Sequence, residues 1–533
     1  MATAKKPYSL ADAGWKDDMP NKLHLLPLLQ PPKDAYNALY APIHLWPDEW
    51  QLKAEVAFNA KENSKENFYQ QNWMATKHVF PAAYPRSHPQ SVFTPGKEFE
   101  PKMNFNVDLT PAELKQKRKD DIKKGLSIIQ QVDLEPFVPA KSEQEANERA
   151  KVLAQSGQPQ LWGCVERIAS FRERPKGKPI TIVLAHATGF HKEIFRPSVQ
   201  SLIKSFETQN TYFIDEIWSL DNFRTGDAGL LNAPFVGPAI SSHDIARDIQ
   251  QFIQFYLPIR SASEDKDGFD NYPLHLKRQE CGRAREDRTI IAIGHSQGAA
   301  TLLMAINAVA KANQPKTQLV DGFVAFDATF PIRESLLLQP LPHNESNVAL
   351  TLVRKDVFID KNDLMEYLNK VPMFKTFDDR VKKLYADYGF KQVKVANKGG
   401  EESKKTFLIP KISKWAEALS FCQLWLNCWT STEVQARNYN GWTHFMVSTF
   451  IRDFPDKIVA EVYTFCEQVA KTNSPSITFQ YVEKGHLYPL EDPHGFGRDV
   501  AKVLHEKLLG SEHEPVTKPT GIEKVIGYVR SRL

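Results

Sequence analysis

From Leu161 onward the apolar residues fall into two textures. Short runs such as "LWGCVERIASF", "ITIVLAHATGF", "TYFIDEIWSL" and "LVDGFVAFDATF" read as strands, the second nearly continuous and therefore buried on both faces. Between them stand stretches of helical period. In "SSHDIARDIQQFIQFYL", Ile245, Ile249, Phe252, Ile253 and Phe255-Tyr256 share one broad face, and "AATLLMAINAVAKA", five residues after the run "TIIAI", is a second helix. Alternating strands and helices predict a mostly parallel sheet covered on both faces. Residues 332–440 interrupt this alternation with helical stretches: "KNDLMEYLNKV", "FDDRVKKLYADYG" and "ISKWAEALSFCQLWLNCW". The pattern then resumes with "THFMVSTF" as a strand, "DKIVAEVYTFCEQVAKT" as a helix and "SITFQYVEKGHLYPLEDP" as a last strand running into a loop. A helical insertion between late strands is expected to cap the strand ends.

Residues 1–157 have another character. Prolines in "LLPLLQPPKDAYNALYAPIHLWPDEW" break any long element. The aromatics Trp46, Trp50, Phe58, Tyr69 and Trp73 argue that the region packs on something. One helix is expected over "TPAELKQKRKDDIKKGLSIIQQ", with Thr110 as N-cap, Pro111 at the first turn and Glu113 closing a capping box.

Composition narrows the class. Of 533 residues, 42% are hydrophobic and 25% charged, the balance of a folded protein with a large core. A formal net charge of +4 is too small to argue for nucleic acid. The five cysteines, with no CxxC spacing, point to a reducing compartment rather than a disulfide framework. No apolar run is long enough to span a membrane, and the N-terminus lacks the apolar stretch of a secretory signal. The chain ends Ser531-Arg532-Leu533, a variant of the Ser-Lys-Leu peroxisomal address. The expected partner there is the peroxisomal import receptor, and the expected compartment is the peroxisomal matrix.

Gly294-His295-Ser296-Gln297-Gly298 places a polar G-x-S-x-G between a predicted strand and a predicted helix. This is the context of a nucleophile elbow, a strained turn that holds a serine hydroxyl above the sheet edge. A serine needs a base, and the base needs an acid that orients it. His486, in the loop after the last strand, is the candidate base. Asp453, after "THFMVSTF", is the first candidate for the acid, and Asp327, at the end of "GFVAFDATF", is the alternative. Asp456 reads better as the N-cap of the following helix. The oxyanion donors are expected to be the backbone N–H groups of Gln297 and Thr188, with His186 shaping the Thr188 loop. No cofactor and no metal site is expected. The insertion carries Trp415, Phe421, Trp425 and Trp429, more apolar surface than one core-facing stripe needs. These residues either line an acyl pocket or belong to a helix packed on both sides.

Between about residues 160 and 510 the chain resembles an α/β-hydrolase. It is similar in particular to the fungal peroxisomal hydrolases that include peroxisomal lipases and toxin-biosynthesis hydrolases. The stretches "AHATGFHKEIFRP", "LDNFRTGDAGLLN", "GHSQGAA", "RKDVFIDKNDLMEYL" and "GHLYPLEDP" carry the resemblance. It implies an α/β-hydrolase fold with a helical cap and a Ser-acid-His triad acting on acyl or ester substrates. The domains would be an N-terminal extension over 1–157, a core over 158–331 and 441–512, a cap over 332–440 and a tail over 513–533. Three features depart from the group: the long extension, the charged insertion at 264–287, and "STFIRDFPD" in place of a Gly-rich acid loop. Ester hydrolysis, thioester hydrolysis and acyl transfer share one acyl-enzyme mechanism, so all three fit the residues. Ser296 argues against epoxide hydrolases and dehalogenases, which use an aspartate at the elbow. A non-catalytic binding protein on the same scaffold is the remaining alternative.

Overall fold

The computed structural model describes residues 24–31, 73–93, 99–101, 103–132, 140, 142–170, 175–206, 211–259, 272–280, 288–309, 318–328, 342–396, 404–422, 441–448 and 476–510. The strands are β1 (Trp73–Pro81), β2 (Trp162–Ser170), β3 (Lys178–Ala185), β4 (Tyr212–Leu220), β5 (Thr289–His295), β6 (Gly322–Phe326), β7 (Phe390–Ala396), β8 (Lys404–Pro410), β9 (Trp442–Ser448) and β10 (Ile477–Val482). Eight of them form one sheet in the order β1-β2-β4-β3-β5-β6-β9-β10, and β2 alone runs against its neighbours.

The helices used below are α1 (Pro111–Gln130), α2 (Arg196–Phe206), α3 (Ser242–Gln251), α4 (Gln297–Val309), α5 (Pro342–Leu352), α6 (Lys361–Lys370), α7 (Asp379–Tyr388), α8 (Lys414–Cys422) and α9 (Pro493–Leu509). Strand alternation assigns them to two layers. Val183, Ile290, Ala292, Phe323 and Ala325 face a core shared with α3 and α4. Ile182, Leu184, Ile291, Ile293 and Val324 face the opposite core, shared with α2 and α9. The sheet is thus buried on both sides, as its near-continuous apolar strands require.

β1 is a strand that the sequence reading left inside the extension. Its interior Lys77 and His78 hide the period, yet both are satisfied. Lys77 pairs with Asp227 at 3.1 Å and Glu193 at 3.3 Å, and the His78 Nδ1 lies 2.8 Å from the Pro273 carbonyl. The extension therefore supplies the edge of the central sheet, and the sheet begins well before residue 158. The α1 expectation matches the structure. Glu113 N–H donates to the Thr110 hydroxyl at 3.3 Å and Thr110 N–H to the Glu113 carboxylate at 2.8 Å.

The insertion between β6 and β9 holds α5 to α8, but it is not helical throughout. β7 and β8 pair as an antiparallel hairpin, with Val393 and Val395 beside Phe407 and Ile409 on one face. In α8, Trp415 and Ala418 pack with Val348 and Leu352 of α5 and with Ile122 of α1, while Leu419 belongs to the main core. The apolar residues of this half of the Trp-rich stretch pack on two sides of the helix. Trp425 and Trp429 lie outside the described residues, as do the expected helix after β9 and the terminal tripeptide. Among the described residues, no helix is long and apolar enough to cross a membrane.

Candidate active site

The chain passes from β3 to β4 on one side of the sheet and then crosses to β5 on the other side of β3. The carboxyl ends of β3 and β5 flank the point where strand order reverses, the usual ligand crevice of such sheets. Register then sets the site. Ala185 pairs with Gly294, so the loop 186–191 and the G-x-S-x-G turn leave the sheet side by side. His295 pairs with Phe326, which sets Ser296 next to Asp327, and Ser448 pairs with Val482, four residues before His486.

Ser296 has φ +54°, and Asp327 has φ +41°. Both lie in the left-handed region, which costs on the order of 1–3 kcal/mol for a residue with a side chain. The Ser296 turn is held by its N–H donating to the Phe326 carbonyl at 2.9 Å and by Ala300 N–H donating to the Ser296 carbonyl at 3.0 Å. The flanking glycines answer steric need. A Cβ on Gly294 would lie 2.4 Å from the Ala299 Cα, and one on Gly298 would lie 2.3 Å from the Ala185 carbonyl oxygen. The turn can be this tight, and α4 can start this close to β3, only without those atoms.

Ser296 is largely buried, and its Oγ lies 3.1 Å from His486 Nε2. On the other side of the ring, Nδ1 is 3.1 Å from Asp327 Oδ2. A carboxylate only accepts, so Nδ1 carries the hydrogen and Nε2 is left to accept from the serine hydroxyl. The second carboxylate oxygen, Asp327 Oδ1, accepts from Ser448 N–H at 2.7 Å, and Asp327 N–H donates to the Met446 carbonyl at 3.0 Å. Asp327 is therefore clamped by β9 with one oxygen free to face the imidazole. Of the two acids weighed from sequence, the structure brings Asp327 to His486, whereas Asp453 and Asp456 lie outside the described residues.

His295, inside the G-x-S-x-G motif, acts on the same loop. Its Nε2 lies 2.8 Å from the His486 backbone carbonyl, to which it donates. Burial holds His295 well below the ordinary histidine value. The ring is neutral and serves as a fixed strut under the His486 loop. Sequence reasoning passed over this residue, because nothing near it in the chain indicates that a loop 191 positions away will rest on it.

Thr188 follows β3 by three residues, and its hydroxyl donates to the Gln297 side-chain oxygen at 3.1 Å. The two residues expected to supply oxyanion N–H groups are thus tied side chain to side chain. His186 serves the same loop, with Nδ1 bonded to the Ala187 carbonyl at 2.8 Å and Nε2 accepting from Thr225 Oγ at 3.1 Å. Burial lowers its pKa to about 4, so it is a neutral loop former. The loop is anchored beyond Thr188 by Lys192, whose N–H and ammonium both reach Asp221, at 2.8 and 2.9 Å.

No family model matches the chain, and no curated protein matches it by sequence. Its structure is similar to that of the peroxisomal alpha-beta-hydrolase Lpx1 of Saccharomyces cerevisiae, with a TM-score of 0.51 at 15% identity over 87% of this chain and 97% of that one. Smaller likenesses are to E-2-(acetamidomethylene)succinate hydrolase (TM-score 0.39, 16% identity, 65% of this chain and 95% of that one) and to the thioesterase domain of a curacin biosynthetic pathway (0.37, 12%, 64% and 95%). Together with the strand order, the first of these establishes the α/β-hydrolase fold.

Proposed function

We propose that the chain is a serine hydrolase that cleaves ester or thioester bonds of an apolar acyl substrate through an acyl-enzyme. The observation that carries this is the hydrogen-bonded series Ser296 Oγ, His486 ring, Asp327 carboxylate at a left-handed elbow. In this reading His486 Nε2 takes the serine proton as Oγ attacks the acyl carbon, and Asp327 stabilises the imidazolium that forms. Backbone N–H groups of Gln297 and Thr188 receive the oxyanion. His486 then returns the proton to the leaving alcohol or thiol, and water repeats the sequence in reverse to free the acid.

A fluorophosphonate probe tests the nucleophile directly. Wild-type protein should be labelled on Ser296 with loss of esterase activity, and Ser296→Ala should take no label. Labelling that persists in Ser296→Ala would assign the nucleophile elsewhere. A thiol or alcohol acceptor in place of water would make the same site an acyltransferase. Product analysis with and without added acceptor separates the two.

The same reading places the enzyme in peroxisomes. It is supported by the Ser531-Arg532-Leu533 ending and by the peroxisomal hydrolase named among the structural likenesses. A fluorescent protein carrying residues 513–533 at its carboxyl end should become punctate and coincide with a peroxisomal marker. It should be diffuse once the last three residues are removed. A diffuse reporter with the tripeptide intact would count against the address.

A further inference from the structure

Directly after Thr188, the residues Gly189, Phe190 and His191 form, with Gly226, one wall of a cavity of ≈ 30 Å³, and the insertion forms the rest. The lining mixes aromatic side chains with the charged groups of Arg354, Lys355, Asp356, Lys414 and Glu417, and it contains a polar group with an unmet requirement. His191 is buried, and its Nε2 has no hydrogen-bond partner. Its Nδ1 lies 2.9 Å from a Glu193 carboxylate oxygen. Burial opposes the Glu193 charge, but Lys192 and Lys77 outweigh it and hold the group well below the carboxylate range. Nδ1 must therefore donate. Burial also lowers the His191 pKa, so Nε2 is a bare lone pair in an enclosed space.

A donor stands in the same cavity. Arg354 is ion-paired with Glu417, and both line it. Burial opposes the Arg354 charge, but Glu417 outweighs it and keeps the guanidinium protonated. The Glu417 carboxylate abuts the oxyanion loop, since a Cβ on Gly189 would lie 2.5 Å from its Oε1. Tyr385 also lines the cavity, with its ring 6.1 Å from that of His191 and stacked on it.

We propose that this cavity is a subsite for a hydroxyl group of the substrate, His191 Nε2 accepting the hydroxyl hydrogen and Arg354 donating to its oxygen. The inference rests on the serine-hydrolase reading and narrows its substrate class to esters or thioesters that carry a hydroxyl group on one of their two parts. The size fits, because one water needs on the order of 10–15 Å³ of such space, so a hydroxyl and its carbon fill the cavity. A carboxylate does not suit it, because Glu417 neutralises Arg354, Asp363 pairs Lys355 and Asp121 and Asp356 pair Lys414, so a further anion would meet no open cation there. A methyl group does not suit it either, because it would leave the His191 lone pair buried and unpaired.

The test uses the full chain and two ester series. One pairs p-nitrophenyl esters from butyrate to decanoate with their ω-hydroxy counterparts. The other pairs octanoate esters of propanol with the monoester of propanediol. A hydroxyl should raise kcat/KM about tenfold or more in one series, which also tells whether the acyl or the alcohol part enters the cavity. His191→Phe keeps the stacked ring and leaves Glu193 paired with Lys192 and Lys77. It should bring the ratio to about one. The double variant Arg354→Met with Glu417→Gln should do the same, and it decides the matter if His191→Phe fails to fold by thermal midpoint. Binding is read without turnover on Ser296→Ala, whose midpoint should rise more with octanediol than with octanol. No hydroxyl preference in either series and equal midpoint shifts would mean that the cavity holds water only, and the proposal falls. A preference that survives both variants also overturns it. Absence of fluorophosphonate labelling would instead strike the hydrolase reading, while the midpoint comparison still judges the subsite.

Discussion

Ser296→Ala should lower turnover of a p-nitrophenyl ester by about 10⁶-fold, His486→Ala by nearly as much, and the double variant by little more than either. The reason is geometric. In the proposed mechanism the serine hydroxyl, 3.1 Å from His486 Nε2, is nucleophilic only while the ring can take its proton, and the ring has no other use once the hydroxyl is gone. Removing either member removes the unit. What remains in that mechanism is the polarising effect of the proposed oxyanion N–H groups and substrate binding, on which neither side chain acts. Folding should be intact in all three variants, because the elbow is held by backbone bonds to Phe326 and from Ala300 rather than by the serine side chain. The thermal midpoint checks that point, and kcat measured on the three variants checks the rest. Losses that multiply in the double variant would mean that Ser296 and His486 act separately, and the acyl-enzyme mechanism would be withdrawn.

The sheet was legible because its strands are buried on both faces. In β3, β5 and β6 every interior position is occupied by an apolar residue or by a small one, over runs of strand length. β1 was illegible because Lys77 is held in ion pairs with Glu193 and Asp227, and His78 bonds to the Pro273 carbonyl, all partners distant in the chain. An alternation rule scores Lys77 as solvent-facing, although it is only 8% exposed. The β7–β8 hairpin went unread for a different reason. "FKQVKVA" and "KKTFLIP" carry a period of two, but both lie among strong helical stretches and are rich in lysine. Their apolar face is covered partly by Phe105, whose ring lies 5.6 Å from Phe407, and that contact joins segments far apart in sequence.

The site was legible to the extent that local geometry defines it. Ser296 and its two glycines form a turn whose steric logic is contained in five residues, and His486 lies in the single loop after the last strand. The acid was not decidable from sequence, because Asp327 and Asp453 each follow a strand that ends near the elbow. Register decides which carboxylate reaches the ring. The pairing of His295 with Phe326 puts Asp327 one position beyond the sheet, level with Ser296, and its left-handed backbone turns the side chain back. The His295 strut and the clamp from Ser448 are tertiary facts of the same kind.

Asp327→Asn should lower turnover by about 10⁴-fold, whereas Asp453→Asn should leave it within a few-fold of wild type. The asymmetry of the two carboxylate oxygens makes the first loss severe. Oδ1 accepts from Ser448 N–H at 2.7 Å, so an asparagine must keep its amide oxygen on that side. The amide nitrogen then faces His486 Nδ1 at the place where Oδ2 stands 3.1 Å away. A donor there can be satisfied only if Nδ1 gives up its hydrogen, and the neutral ring then carries it on Nε2. In that tautomer Nε2 points a hydrogen at the Ser296 oxygen and cannot take the serine proton. Geometry and fold would survive while the base is lost. Turnover of Asp327→Asn should partly recover at high pH, where hydroxide can take the serine proton in place of the ring. Fluorophosphonate labelling should slow in parallel with turnover, since both reactions need the same deprotonated oxygen. If Asp327→Asn retains wild-type turnover and Asp453→Asn does not, the working acid lies after β9 and the bond between Asp327 and His486 is structural.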